Sequence, residues 1–84
     1  MPAQLVVAKK VNKDFIKLPR HIQAKIIAAY GRMASVPISG VKLHGELAAY
    51  YKYRVGDYRI VYKFDVHEKL IQVVKIEHRQ GVYK

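Results

Sequence analysis

The sequence predicts an α+β fold: an N-terminal strand and a helical hairpin packed on a small, mostly antiparallel four-stranded sheet. Three observations lead there. The hydrophobic period changes along the chain from strand-like to helix-like and back, which gives the order strand, helix, helix, then three strands. A Gly-Asp pair, Gly56-Asp57, sits between two alternating runs in "YYKYRVGDYRIVY" (residues 50–62), the signature of a two-residue hairpin. With 84 residues and 51% hydrophobic content, the chain has material for one core, and residues 1–84 are expected to form a single domain.

Taken in order, "AQLVVAK" is short, apolar and rich in Val, and reads as the first strand. In "KKVNKDFIKLP" the spacing of Val11, Phe15 and Leu18 at i, i+4 and i+7 predicts a helix ending near Leu18, before Pro19. Proline is tolerated in a first turn, so Pro19 can open the next helix. Within "PRHIQAKIIAAYGRMASVP" the residues Ile22, Ile26, Ala29 or Tyr30, and Met33 form a second apolar stripe, which Pro37 brings to an end. Gly31 interrupts that stripe at a cost of ~1 kcal/mol relative to Ala, and marks either an early end or a close packing contact. "SGVKLHGELAA" has two glycines and no regular pattern, and reads as a loop.

The hairpin is read by counting in twos. Tyr51, Tyr53 and Val55 share one face, and Lys52 and Arg54 the other. Gly56 supplies the positive φ of a type II′ turn, which pairs Val55 with Tyr58, Arg54 with Arg59, Tyr53 with Ile60, Lys52 with Val61 and Tyr51 with Tyr62. Half-buried tyrosine is an ordinary strand residue, so Tyr51, Tyr53, Tyr58 and Tyr62 are assigned to the core face. Two arginines then stand directly opposite each other, with Lys52 one pleat away on the same face. Like charges so paired are destabilising, within a scale of roughly 0.2–1 kcal/mol. Any one of these cations would pass as solvated surface; the three together call for an anion. The last strand, "LIQVVKIEH", offers two rows, Leu70, Gln72, Val74 and Ile76 against Ile71, Val73, Lys75 and Glu77. Both contain aliphatics, so its inward face stays open between them.

Composition narrows the function. Net charge is +10, from sixteen Lys and Arg against six Asp and Glu, which favours polyanionic partners. Nucleic acid comes first and an acidic protein second. A membrane surface is weaker, because no basic amphipathic helix carries bulky apolar anchors. No apolar run approaches the ~20 residues of a membrane span and no signal-peptide core opens the chain, so a cytoplasmic protein is expected. Without cysteine there is no disulfide framework or thiolate zinc site, and the four histidines lack ligand spacing; no metal and no cofactor is expected. P-loop and dinucleotide fingerprints are missing, as is any serine or cysteine nucleophile with a base beside it.

Cations and tyrosines suit one reaction in particular. RNA carries its own nucleophile in the 2′-OH. An enzyme need only align that oxygen with the adjacent phosphate, remove its proton, stabilise the added negative charge and protonate the departing 5′-oxygen. Arginines fit the charge-stabilising role. A lysine crowded by Arg54 and Arg59 has its ammonium form disfavoured, which suits Lys52 to act as the base. Tyr83 stands apart from the core tyrosines, beyond the last strand and near His78 and Arg79.

The run "KLHGELAAYYKYRVGDYRIVY" and the later "HRQGVY" resemble the RelE/ParE superfamily of toxins from bacterial and archaeal toxin–antitoxin systems, and the likeness extends through "DFIKLP" over nearly the whole chain. The resemblance implies a RelE-like fold and, for the RelE branch, a ribosome-dependent endoribonuclease that cuts messenger RNA in the ribosomal A site without metal. It also implies an acidic antitoxin partner, with oligomers formed through that antitoxin. Carried over position by position, Lys52 matches the lysine taken as proton acceptor, Arg59 the phosphate-stabilising arginine, Arg79 the late arginine that donates a proton or stabilises charge, and Tyr83 the tyrosine that orients the scissile nucleotide. Arg54 stands where RelE has a lysine; charge is kept, but arginine stays protonated and is unsuited to proton transfer. His78 is a reserve general acid, with a strand-end residue as its equal alternative. Lys42 and His44 fall in the "KLHG" loop, where the resemblance places a basic position near ribosomal RNA, although a solvated histidine is the plainer account of His44. Lys9, Lys10, Lys13, Lys17, Arg20 and Lys25 either contact RNA phosphates or decorate exposed helices; His21 and His67 are assigned to the surface. Two other functions stay open: a ParE-like toxin that inhibits DNA gyrase by binding, and a noncatalytic basic RNA-binding module.

Overall fold

The computed structural model describes residues 3–37, 40–42 and 50–78. Its elements are β1 (Gln4–Val7), α1 (Lys9–Phe15), α2 (Arg20–Ser35), β2 (Val41–Lys42), β3 (Tyr50–Val55), β4 (Tyr58–Asp65) and β5 (Leu70–His78). The strands form one sheet in the order β1-β5-β4-β3-β2, with β1 parallel to β5 and every other pairing antiparallel. The four expected strands and both helices are present, in the α+β arrangement read from the sequence. The addition is β2, two residues inside the expected loop that pair with Lys52 and Tyr51. Two residues are too short to display a period, which is why the sequence reads as loop there.

The helical hairpin is tied at its corner by one side chain. α1 stops at Phe15, earlier than the apolar spacing predicts; Leu18 lies in the turn yet packs on the core, so the spacing counted a residue beyond the helix. The Nε2 of Gln23, on α2, lies 3.2, 3.3 and 3.0 Å from the carbonyls of Phe15, Ile16 and Leu18, and its two N–H groups, shared among them, tie the turn after α1 to α2. Pro19 is the N-cap of α2, and its carbonyl accepts from Ile22 and Gln23. At the other end Val36, the residue before Pro37, has left helical geometry with φ −131° and ψ 83°, as a following proline demands. Gly31 marks neither an early end nor a close contact: α2 runs on to Ser35, and a Cβ at Gly31 would meet nothing within 4 Å.

The core lies between this hairpin and one face of the sheet. Val11 of α1 and Ile26, Ala29 and Met33 of α2 pack over Ile60, Tyr62, Ile71 and Val73, with Leu5 and Val7 of β1 at the margin. Tyr62 has no exposed surface, and its ring stacks on Tyr51 with centroids 5.4 Å apart. Its hydroxyl donates to the Pro37 carbonyl at 2.9 Å and accepts from the Gly40 amide at 3.1 Å, anchoring the segment that leads to β2. A Cβ on Gly40 would lie 2.6 Å from that hydroxyl and 2.7 Å from the Lys52 carbonyl, so only glycine fits this approach. Tyr30 is less well provided for. Its buried hydroxyl has no hydrogen-bond partner among the described residues, and burial pushes its pKa up to about 12.

An irregularity in β5 decides which residues face the core. Val61 pairs with Lys75 but Tyr62 pairs with Val73, so Val74 is an extra residue, a β-bulge. Ile71 and Val73 before the bulge share the core face with Ile76 and His78 after it, while Leu70 and Gln72 share the open face with Lys75 and Glu77. Neither row read from strict alternation is therefore the inward one; each changes face at Val74. Among the described residues no helix is long and apolar enough to cross a membrane.

Candidate functional site

The helices cover one face of the sheet, and the other collects charge. The observed β3–β4 register places Arg54 opposite Arg59, Lys52 opposite Val61 and Tyr50 opposite Lys63. Gly56, at φ 57°, makes the turn that fixes this register, with no positive φ at Asp57, as type II′ geometry requires. Because the core-facing residues of the same strands, Val55, Ile60 and Tyr62, are buried, a slip by one residue would turn the cations into the core. The hydrophobic pattern thus holds Lys52, Arg54 and Arg59 on the outer face.

Around them the structure adds groups beyond the hairpin stretch. Lys63 continues the β4 row, its ammonium 5.5 Å from the centroid of the Tyr50 ring. Lys75 and Glu77 arrive on this face through the bulge, Lys75 opposite Val61 and Glu77 opposite Arg59. A signal for them existed in the sequence: aliphatics in both rows of "LIQVVKIEH" are what a mid-strand bulge produces. Lys75 Nζ and Glu77 Oε2 are 3.2 Å apart, the ion pair found among the described residues. Asp65, at the far end of the β4 row, is committed to its turn, where Oδ1 accepts from the amides of His67 and Glu68. Lys52, Arg54, Arg59 and Lys63 thus share this face with the Lys75–Glu77 pair, and positive charge predominates on it.

Lys52 and Arg59 are half-buried and Arg54 is exposed, with its Nε donating to the Gly56 carbonyl at 3.2 Å. That bond draws Arg54 toward the turn, leaving Arg59 between it and Glu77 in the cross-strand row. His78 is not brought to this face. It pairs with Tyr58 on the opposite side of the sheet, and the two rings stack with centroids 4.5 Å apart. Arg79, Tyr83 and His44 lie outside the described residues, and of Lys42 the structure describes the backbone, paired with Tyr51. Lys9, Lys10, Lys13, Lys17, Arg20 and Lys25 are exposed on or beside the helices, and hence across the sheet from Lys52 and Arg59. Among the described residues no cluster of histidine and carboxylate side chains is placed to hold a metal ion.

Comparison with known proteins agrees with this architecture. Toxin RelG of Mycobacterium tuberculosis is 29% identical over 86 residues, covering all of this chain and 99% of that protein. Among solved structures, the toxin–antitoxin complex RelBE2 of Mycobacterium tuberculosis superposes with a TM-score of 0.85 at 28% identity, over 94% of this chain and 100% of that one. The archaeal RelE–RelB complex of Pyrococcus horikoshii OT3 gives a TM-score of 0.80 at 23% identity over 94% and 97%, a likeness of fold. The family model for the ParE toxin of type II toxin–antitoxin systems, parDE, matches residues 5–83. Since that match runs from the first strand past the last, the chain belongs to the RelE/ParE superfamily, as a RelE-like toxin of a toxin–antitoxin system.

Proposed function

We propose that this toxin is a messenger RNA endoribonuclease that works on the ribosome, with the open face of the sheet as its active surface. The observation that carries the reading is the cross-strand placement of Lys52, Arg54 and Arg59 on one solvent-facing side, where like charges repel unless an anion lies between them. In the mechanism Lys52 accepts the proton of the 2′-OH. The freed oxygen attacks the adjacent phosphorus, and Arg59, with Arg54, stabilises the negative charge that builds on the phosphate oxygens. The bond to the 5′-oxygen then breaks, with Arg79 stabilising the charge that gathers there as the oxygen takes a proton from water, while Tyr83 orients the scissile nucleotide. Chemistry through the 2′-OH leaves a 2′,3′-cyclic phosphate and a 5′-hydroxyl.

An acidic antitoxin completes the proposal. RelBE2 is a toxin–antitoxin complex and the archaeal structure a RelE–RelB complex, and a net charge of +10 speeds encounter with an acidic partner. The association rate should fall steeply with added salt. A second reading rests on the matching family model, described as a ParE toxin. A ParE-like gyrase inhibitor has no use for the Lys52, Arg59, Arg79 and Tyr83 set. Addition of the toxin to a purified translation extract separates the two: cut messenger with 5′-hydroxyl ends supports the ribonuclease, uninterrupted translation supports the gyrase inhibitor, and 5′-phosphate ends reject the mechanism.

A further inference from the structure

Glu77 is the anomaly of the open face. It is a carboxylate lodged in a cationic row, directly opposite Arg59 in the β4–β5 register, with its side chain 31% exposed. Opposite charges facing each other across strands attract, and Arg59 needs relief from Arg54 on its other side. Yet the Glu77 carboxylate engages Lys75, two residues along its own strand, at 3.2 Å. The bulge at Val74 is what puts Lys75 on this face, since regular alternation from Ile71 and Val73 would carry it into the core.

We infer that Lys75 is a positioning residue for Arg59: by holding the Glu77 carboxylate, it keeps an internal competitor away from the guanidinium that must receive the RNA phosphate. This rests on the ribonuclease reading and deepens it. A carboxylate and a phosphate compete for the same planar fork of donors, so an Arg59 paired with Glu77 would be neutralised before substrate arrives. The 64% exposed Lys75 side chain can hold Glu77 only by a contact that solvent weakens. The device is therefore a bias, and its removal should be felt as a factor of a few.

The test is a set of four proteins: the wild type, Lys75→Met, Glu77→Gln and the double variant. Each is measured for single-turnover cleavage of ribosome-bound messenger and for thermal stability. Lys75→Met should lower cleavage about two- to fivefold, the range of a cross-strand ion pair. Glu77→Gln alone should match or exceed the wild type, and the double variant should regain wild-type cleavage because no competitor is left. If Lys75 instead touches RNA itself, the double variant stays as impaired as Lys75→Met, and the inference is overturned. It is equally overturned if lost cleavage follows lost stability across the set.

A second readout needs no catalysis. In the free protein the NMR resonance of the Arg59 Nε–H should shift in Lys75→Met, as Glu77 turns toward it, and return in the double variant. A resonance unmoved by Lys75→Met rejects the exchange of partners. A resonance that moves while even the wild type leaves messenger intact upholds the pairing and removes the ribonuclease reading.

Discussion

The two faces of the sheet are made from the same strands, often from adjacent residues, and obey opposite rules. On the covered face Ile60, Tyr62, Ile71 and Val73 have no exposed surface, and their apolar atoms meet Val11, Ile26, Ala29 and Met33. On the open face Arg59 and Val61 alternate with those residues along β4, and Arg59 opposes Arg54. One face is arranged for stability in isolation. The other sets Arg54 against Arg59, a repulsion that a bound anion relieves. On the ribonuclease reading, stability and activity are separable at single-residue resolution, since neighbouring positions of β4 point to different sides.

Substitutions at neighbouring positions put that separation to the test. The largest effect on stability is expected at Ile60, where truncation to Ala leaves a cavity beneath α2 and should cost about 2–5 kcal/mol, read from denaturant or thermal unfolding. Next door, Arg59→Ala should reduce messenger cleavage by about 10²–10³-fold, as removal of one transition-state donor does elsewhere. Its thermal stability should stay level or rise within about 1 kcal/mol as the repulsion with Arg54 is relieved. A large drop in melting temperature for Arg59→Ala would break the comparison, because it would make Arg59 part of the framework through Glu77.

Two smaller effects sharpen it on the covered side, where tyrosine hydroxyls have unequal surroundings. Tyr62→Phe leaves the Gly40 amide and the Pro37 carbonyl without that partner, and should cost about 1–3 kcal/mol in unfolding free energy. Tyr30→Phe removes a buried hydroxyl that bonds to nothing among the described residues, and stability at neutral pH should hold or improve slightly. Its signature is alkaline. The Tyr30 pKa is about 12 in the folded protein against 10.0 ordinarily, so the unfolded chain ionises first. The contribution of the neutral phenol is complete below pH 10 and is lost as pH rises through about 12. Melting curves across that window should fall less for Tyr30→Phe than for the wild type.

Legibility in the sequence followed the regularity of each element. The β3–β4 hairpin was readable pair by pair, because Gly56 fixes a two-residue turn and the alternation on both sides agrees with it. β5 was readable as a strand but not as two faces. The single residue Val74 inverts the alternation, and that inversion hid Lys75 and Glu77 from the candidate site. β2 went unseen because its pairing with β3 spans only two residues, at a place secured from afar by the Tyr62 hydroxyl on Gly40. Lys63 was missed for a simpler reason: it lies just past the stretch in which the hairpin was counted. The stacking of His78 on Tyr58 is likewise set by the bulge, which brings His78 to the side of the sheet where Tyr58 already lies, away from Lys52.

The parallel pairing of β1 with β5 bears on how the molecule comes into being. Gln4 lies against Leu70 and Val7 against Val73, so the first strand waits for nearly the whole sequence before it has a neighbour. The helical hairpin and the β3–β4 and β4–β5 ribbons join nearby residues and can form early; this closure spans the longest loop in the sheet and comes late. The strand that completes it is also the one that brings Lys75 and Glu77 beside Arg59. During synthesis, then, a nascent chain has neither a closed sheet nor a finished basic surface until β5 has emerged, and it acquires both in the same step.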